Sequence, residues 1–281
     1  MAYKNMSIPI DASAFGTRDY TTVWWLAGGG FLINTHGTII MIDPVISTHP
    51  DNVKNCETSL ALAVKYPINV EKTVRADAVL YTHTDDDHLG PISAPALADR
   101  LHPINIGPPP VFEKLVRMGV HHSEIISCRY GDTIKLGDAN IEVIDADHPY
   151  QIVWGKLHAQ RPFRTGDCCG YIIRTPDANI LFTGDTRLME FHLKLIDIDI
   201  ITLDVSRDLS YHISTNGAVV LANTYEQSLV VPYHYGTFDN TDNSAFNGSP
   251  DDVLPMINNP ERVRVLIPGQ PLSMKGGKEI K

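Results

Sequence analysis

The chain has 281 residues, of which 43% are hydrophobic, so it can bury a large core, and we expect one domain over residues 1–281. Its 33 acidic and 23 basic residues give a formal net charge of -10, which argues against a nucleic-acid partner because phosphate contacts need clustered lysine and arginine. The absence of an apolar run of about 20 residues and of a signal-peptide core predicts a soluble, cytoplasmic protein without a membrane partner.

The first strands predicted along the chain are repeated later in it. Residues 30–43 have the pattern of a strand, a turn and a second strand that ends in an acid, and residues 170–185 repeat this order. Three glycines at residues 28–30 precede the first unit. Because a strand and not a helix follows them, they predict a tight turn or close backbone packing and not a phosphate-binding loop.

The segment Thr-His-Thr-Asp-Asp-Asp-His-Leu-Gly at residues 82–90 follows a short apolar strand-like run. Alternate residues of an extended segment point to the same side, which groups His83, Asp85 and Asp87, and His88 joins them as the chain turns. Imidazole and carboxylate are the usual ligands of zinc, manganese and iron. The segment therefore indicates half of a metal site.

Two simpler interpretations of this segment remain open. It can be a polar loop in which Asp87 caps a helix that begins near Pro91. An EF-hand calcium loop is the other, although the segment lacks the glycine and the distal glutamate of that motif.

More ligand-type side chains follow other strand-like runs. Singly, each would more often be a capped turn or a satisfied histidine, but functional residues of layered α/β proteins gather at strand ends. Second-shell carboxylates commonly orient ligand histidines, so acids at such positions are candidates for that role. The further ligand candidates are His148, Asp185 and His234, and the candidate second-shell acids are Asp43, for which capping the turn at Pro44 is the alternative, and Asp204.

A basic and aromatic segment follows His148 in this otherwise acidic chain. It carries Lys156, Arg161 and Arg164, and no acid follows His148 until Asp167. Positive charge beside a ligand histidine can hold a small anionic substrate. The alternative is a basic edge that pairs with surface carboxylates or with another subunit, which leaves a homo-oligomer open.

Strands and helices interleave along the chain, which indicates an α/β protein. A segment rich in Asn, Asp and Ser at residues 238–252 predicts a loop beside His234, either a lid or ordinary surface. Ser214 is a candidate cap for the last predicted helix. The predicted helices cover residues 58–65, 91–101, 111–118 and 215–225.

In the order and spacing of these residues the chain resembles the metallo-β-lactamase superfamily, whose first motif is usually HxHxDH, followed by a lone His, a Gly-Asp and a final His. Asp85 replaces the second histidine of the motif. The resulting HxDxDH and the segment at residues 232–238 are similar to the ascorbate 6-phosphate lactonase branch. The segment at residues 203–208 departs from that branch.

The resemblance implies a four-layer αββα sandwich with two divalent metal ions per chain, manganese or zinc, with iron as a third option. It implies that Asp185 bridges both ions and that Asp87 and Asp185 are the catalytic carboxylates. The implied ligands are His83, Asp85 and His148 for one ion and Asp87, His88 and His234 for the other.

The activity implied by the resemblance is hydrolysis by a hydroxide shared between the two ions. We expect a lactonase that acts on a small anionic lactone or ester, with Lys156, Arg161 and Arg164 as substrate-binding residues. A phosphodiesterase for a small cyclic phosphate or phosphonate is the alternative enzyme. A non-catalytic metal-binding relative is the alternative from another class.

Overall fold

The fold is described for residues 6–148, 152–153, 156–157, 164–208, 210–239 and 247–281 in a computed structural model. Its α-helices are α1 Ser93–Leu101, α2 Pro109–Arg117, α3 Ser214–Thr224 and α4 Pro250–Val253. Its strands are β1 Thr21–Ala27, β2 Gly30–Thr35, β3 Thr38–Ile42, β4 Thr48–His49, β5 Asn52–Cys56, β6 Ala78–Leu80, β7 Ile104–Gly107, β8 Ile125–Ser127, β9 Thr133–Leu136, β10 Ala139–Asp145, β11 Ile152–Val153, β12 Lys156–Leu157, β13 Cys169–Arg174, β14 Asn179–Phe182, β15 Ile200–Asp204, β16 Leu229–Tyr233, β17 Pro271–Lys275 and β18 Lys278–Ile280.

The predicted internal repeat is confirmed by two equivalent hairpins, one in each large sheet. Strands β2 and β3 pair antiparallel, as do β13 and β14, and each hairpin is followed by a parallel neighbour, β6 or β15. Within the described ranges the first sheet has the order β18-β17-β1-β2-β3-β6-β7-β8 and the second the order β16-β15-β14-β13-β10-β9.

The two sheets face each other across a core built from alternate residues of their strands. Trp25 and Phe31 lie in this core, where the ring of Phe31 contacts that of Phe182 edge-on at 5.2 Å between centroids. Their neighbours Trp24 and Leu32 point to the opposite face and pack in a second core with α1 and α2. Helix α3 covers the second sheet through β15. The layers are therefore helix, sheet, sheet and helix, as the αββα expectation requires.

Three of the four predicted helices are confirmed with bounds shifted by one or two residues. The predicted cap Ser214 is the first residue of α3, and its hydroxyl accepts a hydrogen bond from the Gly217 amide at 3.2 Å. None of the described helices is long and apolar enough to cross a membrane.

The predicted helix at residues 58–65 is wrong. The amide of Leu62 donates to the carbonyl of Lys54, and the amide of Ala63 donates to that of Thr237. These backbone groups pair with β5 and with the chain after β16, so they are not free to form helical hydrogen bonds.

Candidate metal centre

The candidate ligands follow strands that end at one shared edge of the two sheets. In the first sheet β3 and β6 are parallel, and the Asp43 amide, just after β3, donates to the Leu80 carbonyl at the end of β6. In the second sheet β14, β15 and β16 are parallel neighbours, so Asp185 and His234 leave the sheet on the same side. The carboxyl ends of parallel strands meet at one edge, which is why residues distant in sequence converge here.

The chain turns sharply at three of these strand ends. Asp43 and His234 have φ of 44° and 59°, a left-handed conformation that is unusual for residues with a side chain. Gly184, just before Asp185, has φ of 63°, and a Cβ there would lie 2.9 Å from Thr82 Cβ. The Gly-Asp pair therefore needs its glycine both for backbone conformation and for space. Such strained positions commonly accompany functional sites.

All seven predicted ligands lie together at this edge. One ligand atom from each of His83, His148 and Asp185 lies within 4.8 Å of the others, and the same holds for Asp87, His88, Asp185 and His234. Asp85 completes the first group, because its Oδ2 is 3.7 Å from His83 Nε2 and 3.6 Å from His148 Nε2. Asp185 belongs to both groups, which is the position expected of a bridging carboxylate.

Asp43 orients two of the histidines. Its Oδ2 accepts a hydrogen bond from His88 Nδ1 at 2.8 Å and another from the Thr82 hydroxyl at 2.6 Å. The Thr82 oxygen lies 2.9 Å from His83 Nδ1 and can accept from it. Both imidazoles therefore engage the Asp43 network through Nδ1, which leaves Nε2 for the centre. These hydrogen bonds support a role of Asp43 in orienting the histidines and not the cap at Pro44.

Asp204 orients two histidines on the other side of the centre. Its Oδ1 accepts from His234 Nδ1 at 3.2 Å, and its Oδ2 accepts from His212 Nδ1 at 2.6 Å. His234 Nε2 is buried and has no hydrogen-bond partner among the described residues. A buried imidazole nitrogen in that state fits a cation that is bound directly.

Two of the histidines are neutral at physiological pH. Burial, with His88 nearby, lowers the pKa of His83 from 6.5 to about 4. Burial, with His83 nearby, lowers the pKa of His148 from 6.5 to about 3. A neutral imidazole offers the lone pair that a metal ion requires, so these two side chains are ready to coordinate without releasing a proton.

The carboxylates have the opposite effect on their histidine neighbours. Burial opposes a charge on His88, but Asp185, Asp87 and Asp43 outweigh it and raise its pKa well above 6.5. Burial likewise opposes a charge on Asp185, but His88, His212 and His234 keep its pKa well below 3.8. Without a bound cation, protons on the histidines balance the negative charge of this acidic cluster. A bound cation would displace them.

The residues present fit bound divalent cations. Nitrogen and carboxylate oxygen are the donors that zinc, manganese and iron accept. The described ion-pair partners of Asp87 and Asp185 are histidines, His88 for the first and His88, His212 and His234 for the second. A bound dication would place more positive charge beside these carboxylates than the proton of a neighbouring imidazole does.

The predicted cap on the following helix is supplied by a different acid. Glu57 accepts hydrogen bonds from the amides of Ile92 and Ser93 at the start of α1, at 2.5 Å and 2.7 Å. Asp87 points instead to the centre, where its Oδ2 is 3.7 Å from His88 Nε2. The interpretation of Asp87 as a helix cap is therefore wrong.

Of the three predicted substrate-binding cations, one has a described side chain, and it lines a cavity that the candidate ligand His148 also lines. Arg164 lines a cavity of about 540 Å³ together with His148, Thr165 and Met189. Arg161 lies outside the described residues, and of Lys156 only the backbone, in β12, is described. Of the predicted loop at residues 238–252, residues 240–246 also lie outside them.

Two residues at the centre are not among the site residues predicted from the sequence. His212 Nδ1 lies 3.7 Å from Asp185 Oδ2, and His212 shares Asp204 with His234. Burial opposes its charge, but Asp185 and Asp204 raise its pKa from 6.5 to about 10. Tyr211 stacks on the His148 ring at 5.7 Å between centroids. The strand before them, β15, ends at Asp204, well before Tyr211, so the strand-end criterion could not find them.

The turn at residues 28–30 packs directly on the centre. A Cβ at Gly29 would lie 2.5 Å from a ring carbon of His88. The predicted close backbone packing is confirmed, and it explains why a glycine occupies this position.

Comparisons with known proteins agree with this geometry. A family model described as "Beta-lactamase superfamily domain" matches residues 38–235. A "UPF0173 metal-dependent hydrolase" of Pyrobaculum arsenaticum is 26% identical over 257 residues, which cover 89% of this chain and 98% of the relative.

Solved structures show the same fold. Igni18, a metallo hydrolase from the archaeon Ignicoccus hospitalis, has a TM-score of 0.67 at 19% identity and covers 90% of this chain and 98% of its own. An isothiocyanate hydrolase from Delia radicum gut bacteria has a TM-score of 0.67 at 16% identity, over 91% of this chain and 99% of its own.

Proposed function

The chain belongs to the beta-lactamase superfamily domain family, and we propose that it is a metal-dependent hydrolase that opens a small anionic lactone or a similar ester. The observation that carries the proposal is the convergence of four histidines and three aspartates at the shared sheet edge. The similarity to proteins described as metal-dependent hydrolases supports the reaction class.

The proposed ligand set divides the seven residues between two divalent cations. His83, Asp85 and His148 hold one, and Asp185 is shared. Asp87, His88 and His234 hold the other, in agreement with their grouping within 4.8 Å. Bound there, such ions supply Lewis acidity that activates water and polarises an acyl oxygen.

The surrounding residues keep the ligands in place. Asp43 accepts the Nδ1 hydrogen bond of His88 directly, and it holds that of His83 through Thr82. Asp204 accepts the Nδ1 hydrogen bonds of His234 and His212. Since the Nδ1 atom of each of these four histidines is hydrogen-bonded, their rings cannot rotate without breaking a buried hydrogen bond. His212 retains a proton at Nδ1 between Asp204 and Asp185, and its positive charge partly offsets the negative charge of Asp185.

Two features support an anionic lactone as the substrate class. One is the HxDxDH motif with the segment at residues 232–238, which is similar to the ascorbate 6-phosphate lactonase branch. The other is Arg164, which lines a cavity of about 540 Å³ together with His148, Asp145 and Asp147, a volume suited to a small molecule. A guanidinium binds carboxylate or phosphate through two parallel hydrogen bonds.

A substrate panel tests the proposal. The protein is stripped of metal, loaded with Mn²⁺ or Zn²⁺, and assayed against lactones with and without a carboxylate or phosphate group, linear esters and cyclic phosphodiesters. Asp185→Ala, purified in the same way, controls for contaminating hydrolases. We expect about two metal ions per chain and turnover of anionic lactones.

Turnover of cyclic phosphodiesters alone would replace the lactonase proposal by the phosphodiesterase alternative. A fully loaded protein without turnover on the whole panel would favour the non-catalytic alternative. A protein that takes up no metal would overturn the metal-dependent mechanism itself.

A further inference from the structure

Lys114 holds the turn that carries three of the proposed ligands, Asp85, Asp87 and His88. It lies in the last turn of α2, and its side chain is only 15% exposed. Its Nζ donates to the Thr84 carbonyl at 2.6 Å, to Asp86 Oδ1 at 2.7 Å and to the Leu89 carbonyl at 3.1 Å. An ammonium has three donors, and all three are used within one turn of the chain.

These contacts enclose the ligand turn from both sides. Thr84 directly precedes Asp85, and Leu89 directly follows His88. Inside the turn the amides of His88 and Leu89 donate to the Asp85 carbonyl at 3.0 Å and 2.8 Å. Helix α2 is itself fixed, because Val111 and Leu115 are buried in the core beneath the first sheet. Lys114 therefore fixes the turn to helix α2, which is held in place by its buried residues.

Asp86 gives this contact a specific consequence. Three aspartates are consecutive here, and adjacent like charges in one turn repel one another. Asp85 and Asp87 face histidines of the centre, whereas Asp86 faces Lys114 and is only 13% exposed. If the turn were shifted by one residue along the sequence, Asp86 would face the centre, and Asp85 or Asp87 would be moved away from it.

We propose that Lys114 is a positioning residue that determines which aspartates of the turn face the metal centre, and so prepares the turn for metal binding. The proposal rests on the metal site proposed above. With the turn held by α2, the ligands need little further ordering when a cation binds. Residues that orient ligands from outside the coordination sphere typically change metal affinity by about tenfold to a hundredfold.

The test combines metal affinity with a measurement on the metal-free protein. Lys114→Met keeps the length of the stem but removes the three donors. We expect its dissociation constant for Zn²⁺, from competition with a chelator, to rise about tenfold to a hundredfold. In the metal-free variant, hydrogen exchange at the His88 and Leu89 amides should accelerate, while exchange at Leu115 in α2 stays close to wild type.

Lys275→Met is the matched control. Lys275 pairs with Asp19 at 2.6 Å, and the neighbouring Met274 pairs with Thr21, at the opposite end of β1 from the glycine turn beside His88. This variant should leave both measurements unchanged. If Lys114→Met does not fold, Asp86→Asn removes the negative charge from one of the three contacts at constant size and should produce smaller changes in the same directions.

Unchanged affinity and exchange would overturn the proposal. So would faster exchange at Leu115 equal to that at His88, because it would indicate a general loss of stability. If the wild type binds no Zn²⁺, the proposed function fails, while the exchange measurement on the metal-free protein still decides whether Lys114 holds the turn.

Discussion

Asp43 Oδ2 and His88 Nδ1 are 2.8 Å apart across 45 residues of sequence, and both side chains are buried. Asp43 directly follows β3 of the first hairpin, and His88 lies at the end of the turn after β6, the parallel neighbour of β3. The pair therefore links the end of one strand to the ligand turn of the next.

Replacement of Asp43 by Asn should weaken metal binding. An asparagine would retain one acceptor but turn an NH2 group toward either the Thr82 amide or the proton on His88 Nδ1, and either contact loses a buried hydrogen bond. We expect the metal dissociation constant to rise about tenfold to a hundredfold. Chelator competition measures it, and an affinity equal to wild type would show that Asp43 does not orient His88.

Asp185→Ala should lose more metal than Asp85→Ala. Asp185 lies within 4.8 Å of ligand atoms in both halves of the centre, whereas the described ion pairs of Asp85 are with His83 and His148 of one half. Elemental analysis after metal loading should find less than one ion per chain in the first variant and at least one in the second. Equal metal content in the two variants would contradict the assigned bridge.

Asp85→His should shift metal preference toward zinc. The change replaces a carboxylate oxygen by a softer imidazole nitrogen and restores the commoner HxHxDH motif. Competition between Zn²⁺ and Mn²⁺ for the stripped protein should show a higher zinc-to-manganese affinity ratio than in the wild type. An unchanged ratio would place residue 85 outside the coordination sphere.

Arg164→Gln should discriminate between charged and neutral substrates. If Arg164 binds the anionic group, its loss removes a charge-assisted hydrogen bond of about 1.5 to 3 kcal/mol, or about ten- to a hundredfold in kcat/KM. The neutral analogue should be hardly affected, and metal content should stay constant.

Arg75→Gln is the control for this measurement, because Arg75 pairs with Asp77 before β6, at the far end of that strand from the ligand turn. A similar loss on charged and neutral substrates in Arg164→Gln would instead indicate a structural or subunit-contact role.

The stability of the protein should depend on pH through His192, which lies outside the proposed ligand set. Burial lowers its pKa from 6.5 to about 4, and its Nδ1 accepts a hydrogen bond from the Met189 amide at 3.1 Å. Between these two pH values the unfolded chain binds the proton and the folded chain does not, so stability falls as pH falls from 6.5 toward 4.

His192→Gln removes this contribution. The stability advantage of the wild type over the variant should therefore shrink by up to about 1.4 kcal/mol per pH unit in that window. Denaturant unfolding at several pH values measures it. A constant difference would show that His192 is not held neutral by the fold.

Local patterns in the sequence were sufficient for the two hairpins and for the seven ligand-type residues at strand ends. The reason is that alternation and turn residues predict the strands, and parallel strands of one sheet deliver the residues after them to one edge. The αββα fold itself was implied by the resemblance to the metallo-β-lactamase superfamily. Asp185 could be recognised as the end of the repeated unit without any knowledge of its neighbours.

The tertiary structure decided what no local pattern contains. The segment at residues 58–65 is not helical because its amides pair with distant carbonyls, and Glu57, not Asp87, caps α1. The roles of His212 and Lys114 depend on partners that only folding brings within hydrogen-bond distance. Residue types and spacing indicate which side chains can coordinate a metal, whereas their orientation is set by contacts between elements far apart in the chain.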